Sequence, residues 1–257
     1  MSRIDTIFKN DHKAIMPFIV GGSPSIDATE EILVALDNAG ADIIEIGFPF
    51  SDPIADGPVI AASMHTALER GVTPAHIIGA VARIRASVTA GLIAMVSHSI
   101  VHKSGGKAFI ERLHEAGFDG LIIPDIDLID AEEISSFCAE RGMSFSMLVA
   151  PTTSIERIRE LAGLSSGFLY VLARTGLTGE QSELPDLTER MQAIRSVTNL
   201  PLAVGFGIST ASQVAKVHTF ADAAIVGSAL VRRIEQASNP ATEAAKFVTE
   251  ISNKDLA

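Results

Sequence analysis

The chain has 257 residues, of which 47% are hydrophobic, and its formal net charge at pH 7 is −11. This length fits one barrel of alternating strands and helices, which takes about 250 residues, and the apolar content argues against a disordered chain. The acidic balance, with no basic stripe, argues against nucleic acid as a partner.

The targeting and redox features favour a cytoplasmic protein that does not associate with membranes. Every apolar run is shorter than the roughly 18 residues that a membrane-spanning helix needs. The segment 1–5 lacks the apolar core of a signal peptide. The one cysteine, Cys138, excludes an intramolecular disulfide and fits a reducing compartment. Its flanks are typical of a helix, which favours a structural thiol.

Eight short apolar runs recur along the chain, with amphipathic segments between them. The runs are apolar rather than alternating, which is the pattern of parallel strands buried on both faces. The predicted strands are 15–20, 42–46, 92–96, 120–124, 145–149, 168–172, 202–204 and 223–226. Helical periodicity between them covers, among others, 28–38, 107–116, 131–141, 155–161 and 187–196.

Several strands follow the same short phrase, in which a helix ends at or near glycine and an aspartate leads into the strand. The phrase occurs at 39–42 and 116–119, and 220–222 repeats the aspartate without the glycine. The repetition predicts a single domain over residues 1–257, folded as a (β/α)8 TIM barrel. A short extra N-terminal helix within residues 1–9 would cap the bottom of the barrel. The alternative is an open, doubly wound parallel sheet.

An acidic residue interrupts the second predicted strand, and two more follow in the loop behind it. Glu45 lies between Ile44 and Ile46, and a buried carboxylate costs several kcal/mol unless it has a partner or a use. Asp52 and Asp56 lie in a loop punctuated by proline and glycine. This layout predicts an acid/base site with a movable lid. The alternative for Asp52 and Asp56 is an ordinary role as loop caps.

Glycine-bearing turns follow the last three predicted strands. They contain Gly179, Gly207 and the pair Gly227-Ser228, and the last turn opens a helix. Bare N–H groups and a helix N-terminus suit a phosphate at this face of a barrel. The alternative is that glycine merely ends each strand.

The sequence contains few residues suited to a Schiff-base aldolase or to a metal site. A Schiff-base aldolase needs a lysine inside the barrel, and no predicted strand contains any of Lys9, Lys13, Lys103, Lys107, Lys216, Lys246 and Lys254. A metal site needs clustered ligands. His98 and His102 follow a strand end with no third ligand nearby in sequence, so we expect rim or surface histidines and no metal.

The run at 45–58, Glu-Ile-Gly-Phe-Pro-Phe-Ser-Asp-Pro-Ile-Ala-Asp-Gly-Pro, resembles the signature of tryptophan synthase alpha subunits almost residue for residue. This motif is specific to that family and is not shared by barrels in general, and the resemblance extends over nearly the whole chain. Further similar blocks are 17–18, 119–125, 149–153, 175–179 and 204–209.

The resemblance implies a (β/α)8 barrel that cleaves indole-3-glycerol phosphate to indole and glyceraldehyde 3-phosphate by a retro-aldol reaction. Glu45 would protonate indole C3 and take the proton from the side-chain hydroxyl next to the ring. Asp56 would accept a hydrogen bond from the indole N–H. No cofactor is implied for this chain. Pyridoxal phosphate belongs to the family's beta subunit, which receives indole through a tunnel.

The resemblance also assigns the remaining site residues. Thr178 would belong to a lid that closes against the Asp56 loop. Asp52 and Pro53 would contact the beta subunit in an alpha2beta2 heterotetramer. The residues that would enclose indole are Phe18, Met95, Ile122, Tyr170, Phe206 and Ile225. Those that would hold the phosphate are Gly179, Gly207, Gly227 and Ser228.

The chain departs from the family pattern at Ser23, at Ala61 and over Ser97-His98-Ser99, where the family commonly has Tyr-x-Asn. These changes affect the pocket mouth and the partner surface. Two alternatives therefore remain beside the alpha subunit. One is a stand-alone lyase that acts on indole-3-glycerol phosphate or a related phosphorylated substrate without a beta partner. The other is a non-catalytic barrel that binds a phosphorylated ligand.

Overall fold

A computed structural model describes residues 2–53, 56–173, 187–205 and 207–252 of the chain. Thr178, Gly179 and Phe206, which the sequence places in the site, lie outside the described residues. No helix in these ranges is both long and apolar enough to cross a membrane.

The described residues form nine β-strands, and all of the pairings between them are parallel. The order across the sheet is β5-β4-β3-β2-β1-β9-β8-β7-β6. The strands are β1 Ala14–Val20, β2 Ile43–Gly47, β3 Gly91–Met95, β4 Gly120–Ile122, β5 Ser144–Phe145, β6 Leu148–Val149, β7 Leu169–Leu172, β8 Leu202–Gly205 and β9 Ala223–Val226.

The predicted fifth strand, 145–149, is wrong in one respect, because the structure divides it into β5 and β6. The chain changes hydrogen-bonding partner there: the Ser146 N–H donates to the Leu121 carbonyl on β4, and the Met147 carbonyl accepts from Tyr170 on β7. The Met147 N–H donates to the Ser165 hydroxyl instead of a strand carbonyl. One strand position thus joins both ends of the sheet, which confirms the (β/α)8 barrel over the open sheet.

Helices separate the strands and lie outside the barrel. Each predicted helical segment coincides with an observed helix, to within a few residues at its ends. The helices are α1 Arg3–Ile7, α2 Ile26–Asn38, α3 Pro58–Glu69, α4 Pro74–Ile84, α5 His98–Lys103, α6 Lys107–Ala116, α7 Leu128–Glu140, α8 Ile155–Leu164, α9 Thr188–Arg195, α10 Ala211–His218, α11 Ser228–Gln236 and α12 Pro240–Ser252.

The N-terminal helix caps the bottom of the barrel, as predicted. The Ser2 hydroxyl accepts the Asp5 N–H at 3.1 Å, and the Asp5 carboxylate accepts the Ser2 N–H at 2.8 Å, which forms a capping box. Ile4 is completely buried and joins the apolar cluster of the barrel interior. Phe8, just after α1, packs on Phe168 with ring centroids 6.1 Å apart.

The aspartates that introduce strands tie the bottom rim together. Each one accepts, through its side chain, the backbone N–H of a residue in or next to the neighbouring strand, at 2.8–2.9 Å. A carboxylate that accepts such bonds is stabilised in its charged form. The pairs are Asp42 with Ile15, Asp119 with Leu92 and Asp222 with Leu202. The repeated phrase in the sequence therefore has a structural purpose at the rim.

Alternate strand residues point to opposite sides of the barrel wall. One set forms the outer core against the helices, and Ile44, Ile46 and Leu92 are typical members. The other set fills the interior and includes Met16, Ile43, Ile93, Ile122, Phe168, Tyr170 and Ile225. Glu45 belongs to the inward set, because it alternates with the outward Ile44 and Ile46.

Replacing the rim carboxylate in Asp222→Asn should lower the free energy of unfolding by about 1–3 kcal/mol at pH 7. Burial raises the pKa of Asp222, but hydrogen bonds from the Leu202 N–H, Arg195 and Lys13 outweigh it and hold that pKa below its usual value. This stabilisation is present above about pH 4, the pKa of an unfolded aspartate, and is lost as the pH falls through the lower folded pKa. Urea unfolding at pH 7, 5 and 3 tests this.

The exposed Glu31→Gln on α2 is the control, and its stability should differ little from that of the wild type. A variant Asp222→Asn as stable as the wild type at pH 7 would contradict a structural role for the rim carboxylate.

Candidate active site

Glu45 occupies the inner wall of the barrel on β2. It lies level with Phe18 on β1 and Ile93 on β3 in the sheet register. Its relative exposure is 0%. Within the described residues neither Oε1 nor Oε2 has a hydrogen-bond partner. Buried carboxyl groups are nearly always paired, so an unpaired one among apolar side chains marks a functional site.

Burial controls the charge of this carboxyl group. Desolvation raises the pKa of Glu45 to about 8, because a low-dielectric environment disfavours the ionised form. At neutral pH the group is therefore mostly protonated and able to donate a proton. It becomes a base once that proton has left.

Tyr170 lies on the inner wall on β7, and both acidic residues affect its pKa. Its pKa is raised well above 10, first by desolvation and then by the negative charges of Glu45 and Asp56. The phenol is therefore neutral at physiological pH and keeps its O–H as a donor. Its charge coupling to both carboxyl groups indicates that the structure brings these three residues, far apart in sequence, to one site.

Asp56 lies in the loop between β2 and α3, directly before Gly57, the N-cap of α3. Its N–H donates to the Pro53 carbonyl at 3.1 Å, which forms a turn. Desolvation raises the pKa of Asp56 to about 6, so this group is mostly ionised at pH 7. The site thus contains two carboxyl groups whose pKa values differ, one suited to proton donation and one to holding positive charge.

Four predicted indole-binding residues line the interior near these carboxyl groups. Ile122 and Ile225 are buried in the interior cluster, which Met95 also contacts. Phe18 is buried beside them on β1, and its ring lies across Gly47, where a Cβ would come within 2.5 Å of the ring. The backbone of β2 therefore needs glycine at this position to leave room for the aromatic ring.

The described part of the predicted phosphate site lies after β8 and β9. Gly207 has φ +82°, a left-handed conformation that glycine adopts without strain. Gly227 and Ser228 open α11, and within the described part of the chain no side-chain hydrogen bond caps that helix. The first N–H groups of a helix have no acceptor within the helix. Together with the positive end of the helix dipole, they suit an anion.

A cavity of about 170 Å³ opens at the mouth of the site, on the C-terminal side of the strands. Asp56 and Met95 line it, together with Ser97 and Asp125. Asp125 follows β4 and accepts the Ser97 hydroxyl at 2.8 Å and the His98 N–H at 2.7 Å. Asp125 is not among the site residues predicted from the sequence, although its position just after a predicted strand was the available signal.

The histidines are not brought together as ligands. His98 Nε2 lies 3.4 Å from Asp130 Oδ2 on α7. Over the described ranges, no group of three or more His, Cys, Asp or Glu could hold a metal ion. Cys138 is buried, and burial raises the pKa of its thiol to about 12. This thiol is therefore inert, as the sequence indicates.

Asp52 and Pro53, the predicted partner contacts, lie in the same loop as Asp56. Asp52 is exposed and Pro53 is half-buried. The Asp52 carboxylate accepts the Ser51 hydroxyl at 2.8 Å. Both residues also line the mouth cavity, so the surface of this loop and the site share one opening.

The comparison with known proteins agrees with this geometry. The family model described as tryptophan synthase alpha chain matches residues 4–256. The chain belongs to the tryptophan synthase alpha chain family. The alpha chain of Synechococcus sp. (strain CC9902) is 40% identical over 253 residues, which cover 97% of this chain and 94% of that one. The alpha chain of Rhodopirellula baltica is 40% identical, with 92% and 88% covered.

Solved structures of the alpha chain family share the fold. A tryptophan synthase structure from Mycobacterium tuberculosis matches with a TM-score of 0.88 and 31% identity, covering 97% of this chain and 95% of that one. The tryptophan synthase A-subunit of Pyrococcus furiosus matches with a TM-score of 0.87 and 30% identity, covering 94% and 99%. None of these matches favours the stand-alone or the non-catalytic alternative.

Removing the buried carboxyl in Glu45→Gln should stabilise the protein by about 1–3 kcal/mol at pH 7.5. Glu45 keeps its proton up to a pKa of about 8 in the folded chain, whereas the unfolded chain releases it near pH 4.3. The wild type therefore loses stability as the pH rises through that window, and the variant does not. Denaturant unfolding at pH 5, 6.5 and 8 measures the difference.

The gain should grow steadily with pH and be small near pH 4. The exposed Glu31→Gln serves again as the control and should show no such trend. A Glu45→Gln variant whose stability follows the wild type from pH 5 to 8 would mean that Glu45 ionises in the folded protein as it does in water.

Proposed function

We propose that this chain is the alpha subunit of tryptophan synthase and cleaves indole-3-glycerol phosphate to indole and glyceraldehyde 3-phosphate. The observation that carries the proposal is Glu45, a fully buried carboxyl group inside the barrel, neither oxygen of which is hydrogen-bonded to any residue that the structure describes. The family membership of the chain supports the choice of reaction.

In this proposal Glu45 acts first as an acid and then as a base. Its protonated carboxyl donates the proton to indole C3, and the ring becomes cationic. The resulting carboxylate takes the proton of the hydroxyl on the carbon attached to C3. That carbon becomes the aldehyde as its bond to C3 breaks, and the bonding electrons restore the aromatic ring. A pKa of about 8 keeps the proton available at neutral pH.

Asp56 offsets the positive charge that develops on the ring. Its carboxylate, ionised above a pKa of about 6, accepts the indole N–H and stabilises the cation formed when C3 is protonated. Tyr170, whose pKa is raised first by burial and then by the charges of Glu45 and Asp56, stays neutral and contacts the substrate between them. The steps are two proton transfers and the cleavage of the bond to C3, whose electrons the protonated ring accepts, so the proposal requires no cofactor in this chain.

The remaining predicted site residues contact the indole ring and the phosphate of the substrate. Phe18, Met95, Ile122, Phe206 and Ile225 enclose the indole ring. Thr178 belongs to the lid. The phosphate rests on N–H groups near Gly179, Gly207, Gly227 and Ser228. The uncapped start of α11 and the left-handed Gly207 support the part of this site that the structure describes.

Glu45→Gln should lower kcat for indole release by about 10²–10⁴-fold, because the amide cannot donate or accept the proton that the reaction needs. Binding of inorganic phosphate should change little, since the phosphate turns are untouched. Indole release from indole-3-glycerol phosphate by the purified chain, with and without the beta subunit, is the measurement. Glu31→Gln is the control and should keep the wild-type rate.

The outcomes separate the hypotheses. Slow cleavage that rises sharply on adding the beta subunit supports the alpha-subunit proposal. Fast cleavage that is indifferent to the beta subunit would identify a stand-alone lyase. Phosphate binding without cleavage, unaffected by Glu45→Gln, would identify a non-catalytic barrel.

We infer that the partner is the pyridoxal-phosphate beta subunit, in an alpha2beta2 assembly in the cytoplasm. The exposed loop of Asp52 and Pro53 forms part of the contact. It lies at the opening of the site, which suits the transfer of indole to a partner seated over the mouth. The single buried Cys138 suits a reducing compartment.

Reversing the charge in Asp52→Lys should raise the Kd for the beta subunit about tenfold or more, because a like-charge or unpaired group at an interface is costly. Titration calorimetry with the beta subunit from the same source measures the Kd, and sedimentation equilibrium gives the mass of the assembly. Glu31→Lys on α2 is the matched charge reversal. Equal Kd values for the wild type and Asp52→Lys would remove this loop from the interface.

A further inference from the structure

Two helices connect the two ends of the proposed substrate site. Helix α3 starts at Pro58, two residues after Asp56, and α11 starts at Ser228, at the proposed phosphate turn. The two helices pack against each other and against β1. A shift of one helix along this seam would therefore move either the catalytic loop or the phosphate turn.

The upper part of the seam is apolar. Ile60 and Met64 on α3 form a cluster with Val231 on α11 and with Phe18 on β1. A Cβ at Gly227 would lie 3.6 Å from Phe18 Cβ and 3.7 Å from Ile60 Cδ1. The phosphate turn therefore lies directly on α3 and on the proposed indole-binding ring.

The lower part of the seam depends on one carboxylate. Glu235, near the end of α11, accepts the Ser63 hydroxyl of α3 at 2.8 Å and the Ser23 hydroxyl of the β1–α2 loop at 2.5 Å, both through Oε1. Ser23 and Ser63 are each 3% exposed. A buried hydroxyl that loses its acceptor costs about 1–3 kcal/mol. Both hydroxyls keep this acceptor only while α11 stays in register with α3, and the Glu235 carboxylate itself remains exposed to solvent.

The position of Glu235 is otherwise unfavourable. A carboxylate near the C-terminal end of a helix opposes the helix dipole. The two hydroxyl bonds offset that cost. Among the described residues, the Asp56 N–H bonds to the Pro53 carbonyl of its own loop, and the chain continues from Asp56 through Gly57 directly into α3.

We propose that Glu235 is a positioning residue, which couples binding of the substrate's phosphate at the start of α11 to the placement of Asp56 at the start of α3. This inference rests on the proposed function. Phosphate binding fixes Ser228 and the first turn of α11. Glu235 and the apolar cluster transmit that position to α3, and α3 carries the Asp56 loop. Binding energy from the phosphate is thereby used in the chemical step.

The test compares indole-3-glycerol phosphate with indole glycerol, which lacks the phosphate. In Glu235→Ala, kcat/KM for indole-3-glycerol phosphate should fall about tenfold, while kcat/KM for indole glycerol stays unchanged. Glu235→Gln keeps an oxygen that accepts the two hydroxyls and should restore most of the loss. Ser63→Ala removes one donor and should give an intermediate loss.

Glu243→Ala is the matched control on the other side of α11. Glu243, on α12, accepts the Arg233 side chain of α11 at 2.6 Å, so this variant loosens α11 without touching α3. The ratio of the two kcat/KM values should stay at its wild-type value. Thermal unfolding by circular dichroism confirms that each variant is folded, and Ser63→Ala with Glu235→Gln carries the comparison if Glu235→Ala is not.

Two results would overturn the coupling. One is an equal fall for both substrates in Glu235→Ala, which is the effect of general loosening. The other is a ratio of the two kcat/KM values that falls as far in the control Glu243→Ala as it does in Glu235→Ala. If the wild type cleaves indole-3-glycerol phosphate and the ratio of the two kcat/KM values is the same in Glu235→Ala as in the wild type, only the coupling is rejected. A wild type that never cleaves it, with or without the beta subunit, rejects the proposed function itself.

Discussion

The burial of one uncompensated carboxyl group is the constraint on which the site depends. Glu45 is held by β2 in a wall of apolar side chains, with neither oxygen hydrogen-bonded to a described residue. A barrel core tolerates such a group only in its protonated form at neutral pH. Desolvation raises the pKa of Glu45 to about 8 and that of Asp56 to about 6, and it is the main cause of the raised pKa of Tyr170.

The carboxyl groups at the two ends of the barrel differ in their hydrogen bonding. At the bottom rim Asp42, Asp119 and Asp222 each accept a backbone N–H of the neighbouring strand, and such bonds stabilise the fold. Toward the top, Glu45 has no hydrogen-bond partner among the residues described, and Asp56 is partly desolvated in its loop. This division agrees with the general property of β/α barrels, in which the N-terminal face serves stability and the C-terminal face serves chemistry.

Local rules predicted most of the fold but not the break in its fifth strand. Apolar runs and glycine–aspartate phrases indicated eight strand positions, and all eight exist. The division into β5 and β6 depends on Ser165 and Ser146, whose bonds form only when β4 and β7 approach the same segment. Asp125 was missed for the same reason. Its role at the mouth appears only when Ser97, 28 residues earlier, meets it.

The sequence by itself determined the fold class, the family and the identity of the two acidic residues, because apolar periodicity and the 45–58 motif are local patterns. The tertiary structure alone decided how completely Glu45 is desolvated, that the charges of Glu45 and Asp56 act on Tyr170, and that Glu235 bonds α11 to α3 through Ser63. Desolvation and long-range hydrogen bonds depend on neighbours more than a hundred residues apart. No short window of sequence contains them.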